Sequence, residues 1–160
     1  MLRHKKILFI CALLFSSFVH AKELEPLADV VRDNPHFISK VKDSQMLVSR
    51  CSALYLVLSV RLYDMENKKE ADTLIRQLSK TAESYEEARV ILSKTSIYSE
   101  QSTKFLQKDF AKKYAEITLA NWKKDNDIFN PMIREDLKVC EDNAPYFKKF
   151  VQTLGREIKR

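Results

Sequence analysis

FISKVKDSQMLVSRCSALYLVLSVRLYDM, residues Phe37 to Met65, places Phe37, Val41, Ser44, Val48, Cys51, Tyr55, Leu58, Leu62 and Met65 at alternating steps of four and three. That spacing is the signature of one helical face, and a helix of this extent would be ~43 Å long at 1.5 Å per residue. Inside it, Ala53-Leu54-Tyr55-Leu56-Val57-Leu58-Ser59-Val60 is apolar all the way round. A helix that is hydrophobic on every side is expected to be surrounded. The stretch therefore predicts the central element of a helical bundle. Eight residues would span about a third of a bilayer, and Arg50 and Arg61 bracket them. The reading is a core helix, with no membrane span in the mature chain.

Working outward, the lack of breakers extends the helical reading. Gly155 is the only glycine, and no proline occurs between Pro35 and Pro131. The filling is Leu, Lys, Glu, Ala, Gln and Arg, all good helix formers. No strand-like alternation and no Asn-Gly or Asp-Gly hairpin signal is present. A second helix is predicted from about Lys68, with Ala71, Leu74, Leu78, Thr81, Tyr85, Ala88 and Leu92 inward. Ser99 offers the N-cap of a third, running to about Lys124 with Leu106, Phe110, Tyr114 and Ile117 inside. Asp125-Asn126-Asp127 ends it, and Asn130-Pro131 restarts a helix as a cap followed by a first-turn proline. Ile133, Leu137 and Cys140 form the inner stripe of that helix. Asn143-Ala144-Pro145 is expected to break or kink it, before Phe147, Phe150, Val151 and Leu154 carry a last amphipathic segment. A short helical turn is expected over Pro26 to Arg32. The fold class is all-α: a single-domain bundle of about four to five helices around the central one, with one disulfide.

The N-terminus reads as a targeting segment. Arg3, His4, Lys5 and Lys6 precede an uncharged apolar run, Ile7 to Val19, and Val19-His20-Ala21 places small residues where a signal peptidase reads. About 13 apolar residues are too few for a bilayer-spanning helix. Residues 1–21 are expected to be a cleaved secretory signal, leaving 22–160 as the helical domain in the periplasm or outside the cell. Cys11 leaves with the signal. Cys51 and Cys140 remain, an even number in an oxidising compartment, and both lie on inward stripes, so a disulfide between them is expected. The full chain carries 28 basic and 22 acidic residues, net +6. Loss of Arg3, Lys5 and Lys6 reduces this to +3, which together with export removes most support for a nucleic-acid partner.

Few catalytic arrangements suit this composition. His36 is the only histidine beyond the signal and sits by a helix start, where capping or surface roles are usual. With both cysteines paired, no His/Cys metal constellation remains, and no cofactor is implied. Asp125-Asn126-Asp127 opens like a calcium loop, but Phe129 and Asn130 stand at its fifth and sixth positions, the latter where glycine is required. Glu86-Glu87, Glu135-Asp136 and Glu141-Asp142 are sequence neighbours, which point in different directions on a helix, and read as solvated faces. No glycine-rich phosphate loop and no nucleophile elbow occurs.

One pattern stands out on the third helix. Lys104, Lys108 and Lys112 recur every four residues, and Ala115, Leu119 and Trp122 continue close to that line, away from Phe110, Tyr114 and Ile117. Two readings follow. Either Phe147 to Leu154 covers this face, or it is an exposed apolar anchor with a cationic rim, suited to an acidic protein partner. The outline of a small exported all-helical domain with one disulfide is similar to helical periplasmic immunity proteins that plug secreted cell-wall amidases. The likeness is one of shape, with no shared motif. The leading expectation is a non-enzymatic binding protein: an inhibitor, immunity protein or adaptor. A carrier holding an apolar ligand or lipid around Tyr55, Tyr85, Phe110 and Tyr114 is the second reading. A hydrolase using unidentified carboxylates is the third.

Overall fold

The computed structural model describes residues 24–33, 41–64, 68–95 and 99–158, and these form five helices. They are α1 (Leu27–Arg32), α2 (Val41–Tyr63), α3 (Lys68–Thr95), α4 (Glu100–Asp125) and α5 (Pro131–Ile158), with no strand among the described residues. The all-α bundle read from the sequence is the fold. Phe37, Met65, His36 and the predicted signal, residues 1–21, lie outside the described residues.

Local chemistry sets the helix ends. The Ser99 hydroxyl accepts from the Ser102 amide at 3.2 Å, satisfying one of the free first-turn donors of α4. Asn126 closes that helix in the left-handed region (φ 55°), a conformation asparagine tolerates better than most residues. The Asn130 side chain then accepts from the Ile133 amide at 2.9 Å and starts α5, with Pro131 in its first turn. At Pro145 the expected break does not occur, and α5 runs through it to Ile158. Neighbouring packing outweighs the missing donor here: Phe147 is buried beside Tyr85, with ring centroids 5.9 Å apart.

α2 is the hub, packing extensively on α3 and α4 and also on α5, whereas α3 and α4 touch each other lightly. Leu47, Val48, Cys51, Leu54, Tyr55 and Leu58 from α2 meet Leu78, Tyr85, Ala88 and Leu92 from α3, Phe110 and Tyr114 from α4, and Ile133 and Phe147 from α5 in one core. A disulfide joins Cys51 to Cys140. It ties the middle of α2 to α5, and the Tyr85 hydroxyl donates to the Cys140 carbonyl beside it. By length and composition α2 is apolar enough to cross a membrane, but most of it is buried inside the bundle. Leu74, expected on the inner stripe of α3, is exposed instead. It lies near the start of α3, at the periphery of the packed layer.

Candidate functional site

The outer face of α4 holds the residues singled out by spacing. Lys104, Lys108 and Lys112 are exposed, and Lys108 and Lys112 form no ion pair among the described residues. Leu119 and Trp122 retain 38% and 36% of their surface in water. Phe147 does not cover them, because it packs on Tyr85 of α3. Phe105, which the spacing argument overlooked, is the most exposed large apolar residue described, at 74%. It follows Lys104 in sequence and lies to one side of the basic stripe, so an exposed aromatic flanks those lysines.

A second apolar face lies on α2 and corrects the expectation that this helix is surrounded. Leu56 and Val60 are 46% and 51% exposed, and Tyr63 is exposed too. Its location follows from hydrogen bonds. The Ser52 hydroxyl donates to the Ala82 carbonyl of α3 at 3.4 Å and accepts from the Gln107 amide of α4 at 2.7 Å, so three helices converge at Ser52. Leu56, Val60 and Tyr63 follow Ser52 at steps of four, four and three, along the same face. Further along, Arg61 donates to the Ala115 carbonyl at 3.0 Å. Ser52 opposite Gln107 and Arg61 opposite Ala115 show that α2 and α4 run side by side in the same direction. α3 and α4 thus enclose α2 at Ser52 and leave it open one turn later.

Behind these surfaces lies a buried polar cluster that binds four parts of the chain. Asp136 is fully buried, accepting from the Leu27 amide at 2.5 Å, from Arg50 Nη2 at 2.7 Å and from the Tyr114 hydroxyl. Arg50 Nε donates to the Tyr114 oxygen at 2.7 Å, a second bond reaches the Glu25 carbonyl, and the guanidinium lies 5.8 Å from the Phe110 ring centroid. The solvated-face reading of Glu135-Asp136 therefore fails for Asp136, whose charge is matched by a cation 86 positions away. Burial, with Asp136 adding to it, pushes the Tyr114 phenol well above its ordinary pKa, Arg50 opposing. It stays a neutral donor.

A second buried cation, Arg89, holds Glu86 through two bonds of 2.6 and 2.9 Å and reaches Thr103 on α4 at 2.6 Å. The hydrogen bonds from Arg89 are the main cause that lowers the Glu86 carboxyl below its usual range, while the Glu86 side chain keeps 39% of its surface in water. Tyr55 stacks on Tyr85 at 5.9 Å between centroids, and burial raises the Tyr55 phenol to about 12. The four aromatics named for a ligand cavity are thus engaged in two groups, Tyr55 with Tyr85 and Phe110 with Tyr114 about Arg50.

The two kinds of group differ in what they offer. The buried charges are matched and hydrogen-bonded, which suits them to fixing the bundle. The exposed set offers apolar area beside unpaired positive charge, a combination that recognises surfaces. Among the described residues, no cluster of three or more His, Cys, Asp or Glu could hold a metal ion. Comparison with protein-family models, curated proteins and solved structures found no match.

Proposed function

We propose that this is a non-enzymatic, exported binding protein that acts by docking its helical surface onto a protein partner, as an inhibitor, immunity protein or adaptor does. The observation that carries the reading is the pair of uncovered apolar faces on α2 and α4, edged by Lys104, Lys108 and Lys112. Clustered apolar side chains left in water, with charge at their rim, are the usual mark of an interaction site. The charge of the rim favours an acidic partner. The signal read at residues 1–21 supports an encounter in the periplasm or outside the cell.

The test is affinity capture of the tagged mature protein from its own periplasm, in parallel with a Leu119→Ala/Trp122→Ala variant. A partner retained by the native protein and lost by the variant is the expected result. A partner held equally by both, or ligand-like lipid eluting in its place, overturns docking at this face.

A further inference from the structure

Leu56 and Val60 belong to the stretch of α2 that is apolar around its whole circumference, yet on their side no described helix covers them. The uncovered strip begins beyond the bonds between α3 and α4. Near their connection, Arg89 bonds to Thr103 and to the Glu100 carbonyl, so α3 and α4 are clamped together there. Beyond Ser52 no hydrogen bond joins α3 to α4 among the described residues, and Leu56 and Val60 on α2 come into water.

The walls that α3 and α4 make beside this strip are low and mostly uncharged. On α4, Ala111, Ala115 and Trp122 follow Gln107 at helical steps of four, four and seven, while Thr118 on the same side is buried beneath them. On α3, half-buried Ser79 and Ile75 precede the buried Ala82 at steps of three and four. Alanines and a serine let another backbone come near, because the separation of packed helices follows the bulk of the side chains between them. Outside the α4 wall stand Lys108 and Lys112, exposed and without an ion pair among the described residues.

We infer that this groove between α3 and α4 receives an amphipathic α-helix of the partner protein, apolar toward Leu56 and Val60 and acidic along the edge facing Lys108 and Lys112. The inference rests on the docking reading and names the kind of element that docks. A helix fits for two reasons. Floor residues Leu56, Val60 and Tyr63 repeat at the helical spacing that an opposing i, i+4, i+7 set meets, and the inserted helix would complete the ring around α2. The acidic edge follows from the unpaired lysines, which would repel a basic one.

The probe is a synthetic amphipathic helix of about five turns, with leucines at helical spacing, no tryptophan, and glutamates on one flank. A second peptide carries lysines at those positions. Trp122, the only tryptophan in the chain, stands at the rim and reports through its emission. A saturable blue shift is expected with the glutamate peptide, at an affinity at least about tenfold tighter than with the lysine peptide. Val60→Asp should abolish the shift while leaving the far-UV dichroism and melt unchanged, and Leu56→Asp serves as an independent second variant. Lys108→Glu with Lys112→Glu should reverse the preference between peptides. No saturable shift, equal affinity for both peptides, or native-like binding by both aspartate variants overturns the inference. A dimer seen in sedimentation that Val60→Asp dissolves also overturns it, giving the groove to a second copy. If the captured partner depends on Leu119 and Trp122 while the glutamate peptide does not bind, the docking reading stands and the acidic-helix occupant falls.

Discussion

Replacing Asp136 with alanine removes the acceptor of hydrogen bonds from the Leu27 amide, the Tyr114 hydroxyl and the Arg50 guanidinium. Leu27 is fully buried and Arg50 nearly so. The amide then has no acceptor, and the cation keeps only the Tyr114 oxygen and the Glu25 carbonyl. Leaving one charge of a buried pair unmatched costs about 3–5 kcal/mol, and an orphaned buried amide about 1–3 kcal/mol. The two overlap in one site, so a loss of about 4 kcal/mol is expected. For a domain of this size, that lowers the melting temperature by roughly 8–16 °C. Urea unfolding followed by far-UV dichroism, with the disulfide intact, measures the loss directly. Hydrogen exchange at the Leu27 amide should accelerate in the same variant. A companion variant, Arg50→Met with Asp136→Leu, replaces the pair with apolar side chains and should recover more than half of the loss, since no buried charge remains. A cost below about 1 kcal/mol for Asp136→Ala, or a double variant as unstable as the single, would refute the uncompensated-charge argument.

Other outcomes follow from the same geometry. Leu119→Ala with Trp122→Ala should cost less than about 2 kcal/mol in a thermal melt, because a fully buried tryptophan would cost about 3–5 kcal/mol; a fall of that larger size would end the interface reading at this face. The mature protein should contain no alkylatable thiol by non-reducing peptide mapping, and reducing Cys51–Cys140 should lower stability by up to about 4.6 kcal/mol; two free thiols would remove the staple. The Glu86 carboxyl is depressed in the folded state, so its contribution is present above the ordinary glutamate pKa and is lost as pH falls through the folded value. Glu86→Gln should therefore flatten the acid limb of stability against pH, and an unchanged slope in urea titrations between about pH 5 and 3 would sink this assignment.

Helical periodicity made much of the architecture legible. The steps of four and three along α2, the Ser99 and Asn130 caps and the inward cysteines each depend on local sequence, and local sequence carries that information. Periodicity tells which side of a helix is apolar but not whether the cover comes from the same chain. The pattern alone thus implies that Leu56 and Val60 are surrounded, although the described helices leave them in water. Asp136 escaped notice for a related reason. Beside Glu135 it resembles a solvated pair, and the partner that draws it inward lies on α2. Leu74 fits the stripe of α3 but lies where the packed layer ends. On α4, Trp122 and the lysines were visible because they recur on one line, whereas Phe105 falls just off that line and was missed.

The tie between Arg50 and Asp136 also sets an order of events for a chain that emerges N-terminus first. Arg50 lies in the helix about which α3 and α4 assemble, and all three are made before residue 136. Without α5, an assembly of α2, α3 and α4 would hold a cation with no counter-charge, and the segment around Leu27 would have no carboxylate to receive its amide. Contacts closing so long a loop form late, since their entropy must be overcome before they stabilise anything. A fragment ending before residue 136 is therefore not a smaller version of this fold: it retains the demand for charge neutralisation and lacks the residue that meets it.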